Sequence, residues 1–185
     1  MGPRDSAVPK ALLDAVERVL RREGYAAATS RRVAEEAGVK QQLVYYYFKS
    51  MEELHLAAFK RTTKLGLERL KRYLASKKPL HALWEERIRA ADSKVIFEYL
   101  ALANRHAGIR KEIKHFVDTS RQMEAAALST LYKDKKIATA PVSPAALAFL
   151  VSCSAILLRR EAANGITFAH DDFQRLVQWV LNRLE

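Results

Sequence analysis

Residues 29 to 50, Thr29-Ser-Arg-Arg-Val-Ala-Glu-Glu-Ala-Gly-Val-Lys-Gln-Gln-Leu-Val-Tyr-Tyr-Tyr-Phe-Lys-Ser50, decide the fold, because they spell two short helices joined by a tight turn. Thr29 suits an N-cap, since its hydroxyl accepts from the free amides of a first helical turn, and Val33, Ala34 and Ala37 then recur as one apolar face. Gly38 ends that helix, as glycine enters the left-handed conformation without a Cβ clash, and the chain reverses across Gly38, Val39 and Lys40. The second helix is predicted over Gln41 to Phe48. Val44 and Phe48 lie one turn apart and point inward, which turns Gln41, Gln42, Tyr45 and Tyr46 outward. Such a face fits a DNA major groove, where glutamine pairs with adenine N6 and N7 and where tyrosine hydroxyls and a flanking Lys49 suit phosphate oxygens. The candidate DNA-binding residues are Thr29, Ser30, Arg32, Lys40, Gln41, Gln42, Tyr45, Tyr46 and Lys49.

Working outward, the first helix of the pair has one irregularity. Arg32 stands at N3, where a capping box places Glu or Gln, and with Arg31 it crowds the positive end of the helix. The sequence therefore predicts a local cost that a DNA phosphate would relieve. On that reading Arg32→Glu stabilises the free protein and weakens DNA binding.

The same stretch resembles the TetR family of bacterial transcriptional regulators, whose pattern is roughly T-x-x-x-[IV]-A-x-x-A-G-V-[ST]-x-G-x-[LV]-Y-x-[HY]-F-x-[ST]-[KR]-x-x-L. Thr29, Val33, Ala34, Ala37, Gly38, Val39, Val44, Tyr45, Tyr47, Phe48, Ser50 and Leu54 match it. Lys40, Gln42 and Met51 depart from it, standing where a small hydroxyl residue, a glycine and a basic residue are usual. Gln42 enlarges the reading surface relative to a glycine-bearing relative, and Met51 removes one cationic contact. The resemblance implies an all-α chain with a three-helix helix-turn-helix domain, residues 1–50, and a helical regulatory, ligand-binding and dimerisation domain, residues 51–185. It also implies that the helix after Ser50 connects the two, and that Tyr25 anchors the turn before the pair.

The totals are compatible with that. A chain of 185 residues can bury a sizeable core. A net charge of +11 favours a polyanionic partner without choosing among DNA, RNA and a membrane surface. Residues 51–78 carry eight basic and three acidic residues, the densest excess in the chain. It either strengthens the field toward DNA or is a solvated helix face. One cysteine and five scattered histidines give no metal-ligand spacing, so neither a metal nor a cofactor is expected, and Cys153 reads as core. No targeting segment or bilayer-length apolar run is visible, so a cytosolic protein without membrane contact is expected.

Helix one starts near Pro9 and ends at Gly24, and Ser50 with Glu53 forms a capping box for a long helix reaching about Ala75. From Pro79 onward the pattern is helical throughout: Leu80 to Ala91, Lys94 to Ala107, Ile109 to about Tyr132, Pro144 to about Ala163 and Asp172 to Leu184, with turns at Asp92, Gly108, 133–143 and 164–171. That makes about nine helices. The helix from Pro144 is apolar nearly all round, and the last one carries a second apolar stripe. A small body hides only one such stripe fully, so a two-fold dimer through Leu147, Leu150, Val151, Leu158, Phe173, Leu176, Val177, Val180 and Leu184 is expected. The resemblance further implies an effector pocket inside the body. Trp84, Ile88, Phe97, Glu98, Leu100, Phe116, Thr119 and Met123 are its candidates, with plain packing as the alternative for each. Glu98, in an apolar run, needs a partner if buried, and a cationic ligand or Arg87 would serve.

The chain is thus expected to be a ligand-responsive regulator, a repressor that holds a palindromic operator as a homodimer until a small-molecule effector releases it. An enzyme fares poorly, with no nucleophile elbow, phosphate loop or metal cluster. An all-α adaptor or lipid or small-molecule carrier is the remaining rival, and salt-dependent binding to double-stranded DNA separates it from a regulator.

Overall fold

The computed structural model describes residues 7–91, 94–134 and 142–184, which form nine α-helices and no strand. They are α1 (Ala7–Glu23), α2 (Ser30–Ala37), α3 (Gln42–Tyr47), α4 (Met51–Leu74), α5 (Pro79–Ala91), α6 (Lys94–Ala103), α7 (Ala107–Asp134), α8 (Pro144–Ala163) and α9 (His170–Leu184). The all-α architecture with an N-terminal helix-turn-helix is therefore as expected. No helix among the described residues is long and apolar enough to cross a membrane. The expected turn at Asp92, the Ser93 cap and most of the 133–143 connection lie outside the described residues.

Local signals explain most boundaries. Thr29 caps α2 with its side chain, accepting from the Arg32 amide at 3.2 Å, and Gly38 closes it at φ 68°. Ser50 accepts from the Glu53 amide at 3.1 Å to start α4, and Ser143 accepts from the Ala146 amide ahead of Pro144 in α8. One glycine was read wrongly. The break between α6 and α7 falls at 104–106, not at Gly108, which sits inside the first turn of α7. Its hydrogen is needed for packing: a Cβ there would stand 3.1 Å from Leu56 Cδ2 of α4.

The chain packs as two compact units that are not contiguous in sequence. The first joins the described residues of Met1–Leu65 and Ser93–Phe116, so α6 and the start of α7 pack with the helix-turn-helix. Its core runs from Leu12, Val16 and Val19 through Val33, Val44 and Phe48 to Phe59, Tyr99 and Ile109. Arg61 of α4 pins α1 by pairing with Asp14 at 2.6 Å and Glu17 at 3.0 Å. The second unit joins Gly66–Asp92 and Val117–Glu185. Its core is built on Leu80, Trp84, Leu128, Ala148, Ala155, Leu158 and Leu181.

Candidate nucleic-acid interface

The exposed face of α3 is set by what α3 buries. Val44 is fully buried and Phe48 nearly so, while Leu43 and Tyr47 are half-buried. Period 3.6 then leaves Gln41, Gln42, Tyr45 and Tyr46 in solvent, with Tyr46 69% exposed and Tyr45 51%. Tyr46 meets Tyr47 edge to face at 4.9 Å, which fixes its ring without covering its hydroxyl end. Lys40 and Lys49 flank this face and are exposed, and the Lys49 amide donates to Glu53 at 2.9 Å, tying the end of α3 to α4. Thr29 is exposed, but its hydroxyl is engaged as the α2 cap.

Two of the expected contacts have other occupations. Ser30 is buried, and its Oγ accepts from Gln41 Nε2 at 2.8 Å and from the Tyr45 hydroxyl at 3.1 Å. Its oxygen is therefore engaged by its own neighbours and not free at the surface. Arg32 is not the uncompensated charge that its N3 position suggested. It donates to Glu23 at 2.7 and 3.0 Å and to Glu36 at 3.1 Å. Glu36 also takes Arg18 at 2.7 Å and an ion pair from Arg22. The Arg18 hydrogen bond, with Arg22 and Arg32 behind it, holds the Glu36 carboxyl down to about 2. This network clasps α1 to α2, so Arg32→Glu removes three hydrogen bonds to two carboxylates and is expected to destabilise, the reverse of the sequence expectation. Arg31, by contrast, is exposed at the α2 N-terminus and makes no ion pair among the described residues.

The other expected sites fare unevenly. Phe97, Glu98, Leu100 and Phe116 fall in the first unit, and Trp84, Ile88, Thr119 and Met123 in the second. Trp84 is core, 6.4 Å from the Phe173 ring and flanked by Ile88. It also lines a shallow open groove with Asp171, Gln174, Arg175, Gln178, Trp179 and Asn182 of α9. Leu100 is exposed, and Phe97, Phe116, Thr119 and Met123 are half-buried. Glu98 is paired not with Arg87 but with the backbone: it accepts from the Tyr25 amide at 3.3 Å, capping the 3-10 turn Tyr25–Ala27 that follows Gly24 at φ 80°. Arg87 instead pairs with Glu124, which is fully buried. The charges compensate, but neither Glu124 oxygen has a well-directed hydrogen-bond donor.

Among the expected dimer residues, Leu158 is buried in its own unit, and Leu147, Val151, Phe173 and Val177 pack against the same core. Val180 is half-buried, and the Leu184 side chain lies outside the described residues. Leu150 and Leu176 are exposed as expected. The outward apolar surface also contains Phe149, Ile156, Leu157 and Trp179, and Cys153, read as core, is exposed beside them.

Residues 12–58 match the family model described as bacterial regulatory proteins, tetR family. No curated protein matches the chain in sequence. Among solved structures, it is similar to a TetR transcription regulator from Haloarcula marismortui, with 16% identity over 96% of this chain and 97% of that one and a TM-score of 0.78. A Saccharomonospora viridis protein, assigned as a transcriptional regulator and solved in complex with choline, gives 19% identity over 97% and 95% and a TM-score of 0.78. Salmonella enterica GusR gives 15% identity over 96% and 95% and a TM-score of 0.72. At these identities the structural likeness establishes the fold.

Proposed function

With residues 12–58 matching the bacterial TetR regulators and the whole chain carrying the TetR-regulator fold, we propose that the protein is a DNA-binding transcriptional regulator. It acts as a repressor that binds a palindromic operator as a homodimer and lets go when a small-molecule effector enters the body. The observation that carries this reading is the α3 face, where Gln42, Tyr45 and Tyr46 stand in solvent over an interior of Val44 and Phe48. Amide and hydroxyl groups on a helix suit base edges and phosphates, and Arg31, Lys40 and Lys49 around them supply the charge.

In this reading residues 1–50 read DNA and residues 51–185 regulate and dimerise. The pairing surface is the outward side of α8 and α9, with Phe149, Leu150, Ile156 and Leu157 on one and Leu176 and Trp179 on the other. Exposed apolar residues of that kind call for a cover, and a second copy related by a two-fold axis would set two heads on two half-sites. For the effector, the S. viridis neighbour contains choline. Here the Arg87–Glu124 pair is the body's polar anchor: a charged ligand competes for one partner and leaves the other to repack, which shifts the balance between conformations.

The test is titration of labelled duplex DNA, genomic fragments first, at several salt concentrations. Binding whose log affinity falls linearly with log salt supports the proposal, because neutralised phosphates release counterions. No association at low salt, or binding indifferent to salt, overturns it in favour of an adaptor or carrier.

A further inference from the structure

Ser30 joins the two outward residues of α3 that are held in place. Its oxygen has two lone pairs and its hydroxyl one proton. Both lone pairs are occupied, by the Gln41 amide N–H at 2.8 Å and by the Tyr45 hydroxyl at 3.1 Å. Gln41 turns its nitrogen toward the buried serine. Its carbonyl oxygen lies on the other side of the amide, and the residue is exposed. Gln42, also exposed, has no such tether among the described residues. A free glutamine loses rotamer freedom on binding, whereas one already held has lost it beforehand.

We infer that Ser30 is a positioning residue for base reading: it fixes Gln41 with an acceptor outward, so that the base facing Gln41 must present an exocyclic amino group. In the major groove that means adenine N6 or cytosine N4, while guanine O6 and thymine O4 would put acceptor against acceptor. Tyr45, locked to the same oxygen, stands beside it as a fixed wall. The inference rests on the DNA-binding reading above and adds to it which side chain selects and through what.

The experiment first selects an operator from random duplexes with the wild-type protein. Anisotropy titrations then measure every single-base change in one half-site against wild type, Gln41→Ala, Ser30→Ala, Ser30→Thr and the Ser30→Ala/Gln41→Ala double variant. Wild type is expected to favour an amino-bearing base by about tenfold at one position, the scale of a good side-chain-to-base contact. Ser30→Ala should flatten that preference nearly as far as Gln41→Ala does, and the double variant should lose no more than Gln41→Ala alone. The position read by Gln42 should keep its preference, and Ser30→Thr, which retains the oxygen, should restore selectivity under Gln41. If Ser30→Ala weakens every sequence equally and keeps the base preference, or if the two changes add, Ser30 is packing only and the inference fails. A wild-type protein that enriches no sequence at all overturns the DNA-binding reading itself, a result distinguishable from either.

Discussion

The two units of the molecule treat charge in opposite ways. In the unit that holds the helix-turn-helix, charged groups pair at the surface: Glu36 gathers Arg18, Arg22 and Arg32, and Arg61 joins Asp14 to Glu17. Its buried histidine, His55, is held neutral, since burial pushes its pKa down to about 4. In the other unit the carboxylates go inside. Glu124 is fully buried against Arg87, and Glu86, 4% exposed, sits between Arg69 and Arg89. Outer surfaces reverse the contrast, with hydroxyls and amides on α3 and exposed aliphatic and aromatic groups on α8 and α9, where Arg121 and Arg183 stack on the Phe149 and Trp179 rings. A part that must present fixed polar groups to a polyanion gains from rim pairs that lock its helices. On the proposed function, an interior pair that can be exchanged suits a part that responds to a ligand, and the dry face suits a second copy.

The dry face gives the largest expected effect. Leu157 and Leu158 are adjacent in sequence but face opposite ways, 55% and 8% exposed. Leu157→Arg should leave the subunit folded and split the dimer. Affinity for a palindromic duplex should then fall about a hundredfold or more, the advantage of linking two reading heads. Sedimentation equilibrium and duplex titration check both halves, and an intact dimer would remove α8 from the interface. Next in size is the interior pair. Glu124→Ala strands Arg87 in the core and should cost about 3–5 kcal/mol in urea unfolding, whereas replacing both partners with Met should be close to neutral. A single-variant loss below about 1 kcal/mol would mean that water already reaches the site, and the contrast between the units would weaken.

The neutral histidine predicts a pH window for the other unit. An unfolded histidine titrates near 6.5, so between about 6.5 and 4 the unfolded chain binds the proton and the fold does not. The stability contribution is complete above pH 6.5 and is lost as pH falls toward 4, on the order of 3 kcal/mol in all. His55 Nδ1 has no hydrogen-bond partner to offset protonation. Unfolding at pH 7 and pH 4.5 measures the drop, and His55→Gln should flatten it. Glu36 acts in a different window: its depressed pKa makes its contribution full above an unfolded value of about 4.3 and lost only as pH falls toward 2.

What could be read from the sequence, and what could not, follows the reach of each interaction. The Thr29 and Gly38 caps and the inward Val44 and Phe48 depend on neighbours a turn away, and they stand as expected. Ser30 looked like a surface hydroxyl because its burial depends on Gln41 and Tyr45, which fold over it from the next helix. Arg32 was misjudged for half of a similar reason: Glu36 is visible four residues on, but Glu23 comes from α1. In α8 the amount of apolar surface was legible and its direction was not, since a helix apolar all round has no preferred side. The structure assigns Leu147, Val151 and Leu158 to its own core and leaves Phe149, Ile156 and Leu157 outside.

The smallest predicted effect separates the two arginines that share the α2 N-terminus. Arg31 makes no ion pair among the described residues, so its charge is available to a phosphate; Arg32 is spent on Glu23 and Glu36. Arg31→Ala should weaken every duplex by a similar few-fold factor and lower the slope of log affinity against log salt by about 1, the signature of one lost phosphate contact. Thermal stability should hardly move, because no partner is stranded. Arg32→Ala should do the converse: the melting temperature falls as the α1–α2 clasp loosens, and the salt slope stays where it was. Should Arg32→Ala lower the slope while Arg31→Ala leaves it intact, the rim network would have to open on DNA, and the contrast between a locked head and an exchangeable body would no longer hold.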